Sequence, residues 1–142
     1  MKRCFVDSSV LYSAFYSTRG HSHDLLQMAA RAEVQLVVSE YVTEETRRNI
    51  SYNIPEQAWY FDVVLARVPL EYVQPSVRAV QRAAELVVLK DAPIIAAARQ
   101  AGVDFLVTLD KKHLLGKPKL ADYARTAIVT PREAIEQLTR PI

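Results

Sequence analysis

The chain has few of the residues that staple or interrupt small folds. It contains one cysteine, Cys4, and three glycines in 142 residues, so an internal disulfide is excluded. No apolar run approaches the roughly 20 residues of a membrane span, and Met1–Val6 meets Asp7 too early for the apolar region of a signal peptide. We therefore expect a cytoplasmic protein in a reducing compartment, with no membrane contact.

Short motifs that define several common enzyme classes are also missing. The sequence has no GxGxxG turn, Walker A loop, HExxH motif or GxSxG motif. His21 and His23 lack a third nearby ligand, so a loop or cap role is preferred over zinc binding. The composition is 50% hydrophobic and 24% charged, without a repeat or a linker. Residues 1–142 are therefore expected to form one globular domain.

Apolar, β-branched runs alternate with amphipathic stretches along the chain. The predicted strands are Arg3–Val6, Val34–Val38, Leu70–Val73, Val103–Leu109 and Ala127–Val129. The predicted helices are Ser8–Ser17, His21–Ala32, Glu40–Tyr52, Pro55–Arg67, Pro75–Leu86, Ala92–Gln100, Lys111–Leu115 and Pro131–Leu138. This order predicts an α/β fold, a three-layer αβα sandwich with a central, mostly parallel five-stranded sheet.

The helix Pro55–Arg67 carries the most aromatic stretch of the chain. We expect Trp59, Tyr60, Val63 and Val64 to face the core. Exposure of this apolar stretch would instead indicate a dimer face.

Asp7, Asp91 and Asp110 each follow an apolar run and open a predicted helix, and the run before Asp91, Val87–Lys90, is expected to be extended or a loop. The carboxyl ends of parallel strands share one sheet edge, where such sheets bind ligands. Helix capping is the alternative explanation for any one of them. Three carboxylates at one edge repel one another unless a cation binds there. Asp104 starts a strand and is expected at the opposite edge.

Glu45 is the fourth candidate acid. In the helix Glu40–Tyr52 it falls on the inward stripe by its i, i+3 and i, i+4 spacing, whereas Glu44 lies off that stripe and is expected to pair with Arg48. A carboxylate on a core-facing stripe is costly unless it is paired or bound to a metal. Glu45 therefore calls for a functional explanation.

At these residues the sequence resembles the PIN-domain nuclease family. The segments that carry the resemblance are Phe5–Leu11, Val38–Ser39 with Glu45 six positions on, Lys90–Ala98, Leu106–Asp110 and Ile128–Pro131. They occur in the family's order and span nearly the whole chain. Two positions depart from the family pattern and bear on a second metal site: Ser9 stands where asparagine is frequent, and His113 where another aspartate is frequent.

The resemblance implies a divalent-metal-dependent endoribonuclease that cleaves single-stranded RNA. Its catalytic and metal-binding residues would be Asp7, Glu45, Asp91 and Asp110, with Mg²⁺ or Mn²⁺ as cofactor. Many small members of the family are toxins of the VapC type, which act as homodimers and are paired with an antitoxin protein. A homodimer with an antitoxin partner is therefore the expectation here.

The chemistry of the residues agrees with this expectation. Ligands that are all oxygen suit Mg²⁺ or Mn²⁺, and we assign Asp7 and Asp110 to a primary ion, with Asp91 and Glu45 at a second. Ser8, Ser9 and Thr108 are supporting residues. Lys111, Lys112 and His113 are candidate substrate contacts, and His113 could instead assist metal binding. With the four acids set aside, the rest of the chain carries six excess positive charges, which suits an anionic polymer.

There are three alternatives to a nuclease. A PIN-like RNA- or protein-binding module with weak catalysis stays open, and metal affinity would discriminate it. A phospho-acceptor receiver domain fails on the order of its acids, because Ser8 and Ser9 follow Asp7. A purely structural α/β domain leaves Glu45 unexplained.

Overall fold

The computed structural model describes residues 1–141 and contains one sheet of five parallel strands. The strands are β1 (Arg3–Val6), β2 (Gln35–Val38), β3 (Leu70–Tyr72), β4 (Phe105–Val107) and β5 (Ala127–Val129). The helices are α1 (Ser8–Tyr16), α2 (His21–Ala30), α3 (Glu40–Asn53), α4 (Ala58–Arg67), α5 (Val77–Ala83), α6 (Ala92–Ala101), α7 (Pro118–Ala124) and α8 (Pro131–Leu138), with 3₁₀ turns at Pro55–Gln57 and Leu89–Asp91. The predicted α/β fold with a parallel five-stranded sheet is confirmed.

Strand β1 lies at the centre of the sheet, in the order β3-β2-β1-β4-β5. Cys4, Phe5 and Val6 are fully buried, because helices cover both faces of the sheet. Burial raises the pKa of the Cys4 thiol to about 12, so this cysteine is a packing residue. None of the helices in residues 1–141 has the length and apolar character needed to cross a membrane.

The predicted inward face of α4 is wrong for Trp59, Tyr60 and Val63 and right for Val64. Trp59 is 68% exposed, and Tyr60 and Val63 are also exposed. Phe61 and Val64 are the buried residues of this helix, and Phe61 packs edge-on against Phe15 with 5.1 Å between ring centroids. Phe61 and Val64 lie three positions apart on one face of the helix, and Trp59 and Val63 lie on the opposite face.

The chain after β4 also differs from the prediction. Residues 111–116 form turns rather than the helix expected at 111–115, and they end at Gly116, whose φ of 69° is left-handed. Helix α7, which was not predicted, follows. Asp91 ends a 3₁₀ turn rather than an extended run, so of the three predicted strand-end aspartates only Asp7 and Asp110 follow strands of the sheet.

The two edges of the sheet carry different chemistry. At the amino edge, the Arg3 backbone N–H donates to Asp104 Oδ2 at 2.8 Å, and the Arg3 guanidinium pairs with Glu71. Asp104 therefore lies where the sequence predicted, at the opposite edge from Asp7 and Asp110. Asp7 directly follows β1 and Asp110 follows β4 at the carboxyl edge, which places both on the side where parallel sheets bind ligands.

Candidate metal centre

Asp7 is held at the end of β1 by a dense set of hydrogen bonds. Its Oδ1 accepts from the backbone N–H of Ser9 at 3.0 Å and of Val10 at 3.3 Å, and also from the Ser9 hydroxyl. Its Oδ2 accepts from the Thr108 hydroxyl at 2.5 Å. Burial raises the pKa of Asp7, and these hydrogen bonds oppose the rise. The carboxylate is therefore fixed in direction and sensitive to any nearby positive charge.

Thr108 links the ends of β1 and β4. It is fully buried, and besides donating to Asp7 its Oγ1 accepts from the Asp110 backbone N–H at 3.0 Å. The Ser9 hydroxyl accepts in the same way from the Leu109 N–H at 3.1 Å. Ser9 and Thr108 thus make the contacts that fix Asp7 against the segment that begins at Asp110.

Asp91 and Asp110 approach one another beside His113. The His113 Nδ1 lies 3.4 Å from Asp110 Oδ2 and 3.8 Å from Asp91 Oδ2, and one potential ligand atom from each of the three residues lies within 4.8 Å of the others. Burial raises the pKa of Asp91, and the neighbouring charge of Asp110 raises it further. Asp91 Oδ2 is buried and has no hydrogen-bond partner within residues 1–141.

Glu45 reaches the same region from α3. It is half-buried, and its Oε1 accepts a hydrogen bond from the Ser8 hydroxyl. Glu44 is exposed as predicted, but its basic neighbour is Arg47 at 3.8 Å rather than Arg48. Arg47 also pairs with Asp62 of α4. Tyr41 also supports the site, although it was not predicted as a site residue. Its hydroxyl donates to the Lys90 carbonyl at 2.9 Å and links α3 to the turn that carries Asp91.

The four predicted acids line one open cavity of about 460 Å³. The other residues that line it are Ser8, Ser9, Tyr12, Asn49, Lys90, Ile94, Lys112 and His113. Lys111 is exposed and lies outside this lining. The compact group is Asp91, Asp110 and His113, which differs from the sequence assignment of Asp7 and Asp110 to a primary ion.

A second cavity of about 630 Å³ adjoins the first and shares Lys112 and His113 with it. Its remaining lining combines cationic and apolar side chains with one acid, namely Lys117, Lys119, Leu86, Val87, Val88, Leu120 and Glu85. Lys117 precedes α7 and Lys119 lies in its first turn. The acidic cavity thus lies directly beside a basic groove with apolar walls.

The donor set fits a hard divalent cation. Asp7, Glu45, Asp91 and Asp110 offer carboxylate oxygens to one cavity, and such oxygens are preferred by Mg²⁺ and Mn²⁺. A divalent ion would offset the repulsion that raises the pKa of Asp91 and would satisfy its unpartnered Oδ2. Without a cation the same arrangement is electrostatically unfavourable.

Comparison with known proteins gives a family and a set of structural neighbours. A family model described as PIN domain matches residues 3–112. A search of curated proteins finds no match. The chain is similar in structure to PAE2754 from Pyrobaculum aerophilum, with a TM-score of 0.67, 18% identity and 96% of both chains covered.

Two further structural neighbours also cover most of this chain. VapBC2 from Rickettsia felis, solved bound to a DNA fragment from its promoter, matches with a TM-score of 0.62 and 16% identity over 90% of this chain and 98% of that chain. VapC20 from Mycobacterium tuberculosis, described as a sarcin–ricin loop cleaving toxin, matches with a TM-score of 0.54 and 19% identity over 77% of this chain and 91% of that chain.

Proposed function

The chain belongs to the PIN domain family, and from that premise we propose that it is a divalent-metal-dependent endoribonuclease that hydrolyses single-stranded RNA. The observation that carries the proposal is the cavity at the carboxyl edge of the sheet, lined by Asp7, Glu45, Asp91 and Asp110. Carboxylates brought together in this way are suited to holding the metal ion of a phosphodiester hydrolase.

Asp7, Glu45, Asp91 and Asp110 would hold Mg²⁺ or Mn²⁺, aided by Ser8, Ser9 and Thr108. The bound ion would supply Lewis acidity to the phosphate and generate a nucleophilic water at neutral pH. Thr108 and Ser9 fix the direction of the Asp7 carboxylate, and the Ser8 hydroxyl holds Glu45. These hydrogen bonds fix the acids before substrate arrives, which lowers the reorganisation needed during reaction.

Hydrolysis joins a water oxygen to phosphorus, breaks the bond to the leaving oxygen and moves one proton to that oxygen. Lys112 lines both cavities and offers its ammonium to the non-bridging oxygens of the phosphate. We keep Lys111 and His113 as candidate substrate contacts, although Lys111 is exposed beside the cavity rather than part of its lining. Glu45 would serve a second ion, whereas Asp91, which the sequence assigns with it, lies with Asp110 and His113.

RNA is the proposed substrate for two reasons. The excess of basic residues outside the acidic cavity favours a polyanion, and the structural neighbour VapC20 is described as a toxin that cleaves the sarcin–ricin loop. By the same likeness we propose that the chain is the toxin of a toxin–antitoxin pair in the cytoplasm. Its antitoxin would be a separate partner protein, and the active form would be a homodimer.

The test is cleavage of a single-stranded RNA by purified wild type, Asp7→Asn and Asp104→Asn, each with Mn²⁺, Mg²⁺ or EDTA. We expect metal-dependent cleavage by wild type and Asp104→Asn, since Asp104 lies at the opposite edge of the sheet. Asp7→Asn should lose activity by at least about 100-fold, in the range for a metal-centre residue. Equal cleavage by all three proteins would contradict the proposal. RNA binding without cleavage or metal affinity would favour the binding module instead.

A further inference from the structure

The position of His113 is fixed by backbone hydrogen bonds and by a buried neighbouring residue. Asp110 Oδ1 accepts hydrogen bonds from the backbone N–H groups of Lys112 at 3.0 Å and His113 at 2.9 Å. Leu114, the next residue, is fully buried and anchors the turn in the core. The turn therefore places the His113 imidazole next to the Asp110 carboxylate.

The imidazole and two carboxylates converge as ligands of one ion would. The His113 Nδ1 is 3.4 Å from Asp110 Oδ2 and 3.8 Å from Asp91 Oδ2. Ligand atoms of an octahedral ion with bonds of about 2.1 Å are separated by about 3 Å when adjacent and about 4 Å when opposite. The two separations from His113 Nδ1, 3.4 and 3.8 Å, fall between these values, and the Asp91 and Asp110 oxygens lie within 4.8 Å of each other.

Asp91 supplies an independent reason to place a cation here. The residue is 94% buried, since it is only 6% exposed, and its Oδ2 has no hydrogen-bond partner within residues 1–141. The distance of 3.8 Å to His113 Nδ1 is too long for a hydrogen bond. A simple ion pair between His113 and the carboxylates therefore leaves this oxygen unsatisfied, whereas a cation between the three groups would satisfy it.

We propose that His113 is a nitrogen ligand of the divalent ion held by Asp91 and Asp110, and that it makes this centre prefer Mn²⁺ to Mg²⁺. The inference rests on the proposed metal-dependent function and names the composition of its centre. Mg²⁺ is bound almost wholly by oxygen, whereas affinity for transition metals gains from an imidazole ligand. An aspartate at this position would present oxygen and remove the preference.

The direct test is pulsed electron paramagnetic resonance of the Mn²⁺-loaded protein, which detects a ¹⁴N nucleus bonded to the ion. Wild type should show ¹⁴N coupling, and His113→Asp and His113→Asn should lose it. The chain has three histidines, so His21→Asp is the matched control and should keep the signal, because His21 is exposed and does not line the acidic cavity. Circular dichroism establishes that each variant is folded.

Calorimetric titration with each metal supplies the second readout. The ratio of the Mg²⁺ to the Mn²⁺ dissociation constant should fall about tenfold in His113→Asp, the lower end of the effect expected for a residue at a metal centre. Mn²⁺ binding by wild type without ¹⁴N coupling would overturn the role of His113 and leave the metal-dependent function standing. Failure of wild type to bind Mn²⁺ at all would overturn both. Coupling that survives in the folded His113 variants would also overturn the inference.

Discussion

At the scale of single residues, Asp7 serves the fold and the proposed metal centre with one carboxylate. It is the N-cap of α1, because its side chain accepts from the N–H groups of Ser9 and Val10. It also lines the acidic cavity. The capping interpretation of this aspartate is therefore correct for its geometry, and it leaves open the ligand role, since a capping carboxylate keeps lone pairs for a cation.

Replacement of Thr108 by valine should destabilise the protein and disturb the centre together. The valine keeps the shape but removes the hydroxyl that donates to Asp7 and accepts from the Asp110 N–H. We expect a loss of about 1–3 kcal/mol in the free energy of unfolding, measured by urea denaturation, because buried polar groups lose their partner. Thr108→Ser is the matched control and should restore most of it. A Thr108→Val protein as stable as wild type would contradict this account of the network.

Asp91→Asn should have opposite effects on stability without and with metal. The pKa of Asp91 is raised in the folded protein, so its contribution to stability is present below its unfolded pKa and is lost as pH rises through the folded value. In EDTA at pH 7 we therefore expect the free energy of unfolding of Asp91→Asn to be about 1 kcal/mol higher than that of wild type.

Two conditions check the origin of that gain. Near pH 3, where the carboxyl is protonated in both states, the difference between wild type and Asp91→Asn should shrink. With saturating Mn²⁺ at pH 7, wild type should be the more stable protein, because binding to the folded state adds stability. Thermal unfolding across these conditions measures both effects, and a variant less stable than wild type in EDTA at pH 7 would show that Asp91 is not strained by its burial.

At the scale of elements, the position of Asp91 depends on a contact between α3 and the 3₁₀ turn Leu89–Asp91. Burial, followed by the nearby charges of Glu45 and Asp91, raises the pKa of Tyr41, so the phenol keeps the proton that it donates to the Lys90 carbonyl. Tyr41→Phe should weaken Mn²⁺ binding by about tenfold, as for residues that orient ligands. The free energy of unfolding should change by less than about 1 kcal/mol, since the bond is exposed.

Calorimetry of Tyr41→Phe is the measurement, with Tyr52→Phe as control because Tyr52 is 87% exposed on the same helix. Equal affinities in the two variants would show that the turn holds its shape without Tyr41.

The sequence predicts the elements whose ends carry a clear chemical signal. The bounds of β1, β5 and α8 agree with the structure, and α8 begins with a capping box in which Thr130 and Glu133 bond reciprocally. Helix α7 was missed although Pro118 stands in its first turn, because the Lys-rich segment around it lacks an apolar stripe of adequate length. The sequence predicts a helix at 111–115, whereas the segment 111–116 forms turns because Asp110 accepts two backbone hydrogen bonds there.

At the scale of the whole molecule, the charge is distributed so that an acidic hole adjoins a basic groove. Lys112, Lys117 and Lys119 line the groove beside the centre. The double variant Lys117→Glu, Lys119→Glu should weaken binding of single-stranded RNA by at least about tenfold and reduce the slope of affinity against salt by about 2. Lys2→Glu is the control, because Lys2 is exposed and precedes β1 at the opposite edge.

Binding is measured by fluorescence anisotropy with EDTA present, which separates it from cleavage. A Lys2→Glu protein that loses as much affinity as the double variant would show that RNA follows the net charge rather than the groove.

The convergence of Asp7, Asp110 and Glu45 could be predicted because it follows from topology and helical periodicity, whereas Asp91 is carried by a 3₁₀ turn. Parallel strands bring Asp7 and Asp110 to one edge, and helical periodicity turns Glu45 towards them. The sequence leaves His113 open between a substrate contact and a metal contact, because its position depends on the turn after Asp110. The exposed face of α4 also could not be predicted. Its aromatic residues are consecutive, and residue type alone does not tell which of them pack into the core and which remain exposed.

The measurement that tests the central claim most directly is RNA cleavage followed against free Mn²⁺, in the same preparation whose Mn²⁺ binding is measured by calorimetry. The account predicts that cleavage and binding saturate over the same range of Mn²⁺ concentration. Both should be lost in Asp110→Asn and retained in Asp122→Asn, an exposed aspartate of α7. Cleavage that persists in EDTA, or in an Asp110→Asn protein that no longer binds Mn²⁺, would contradict the account.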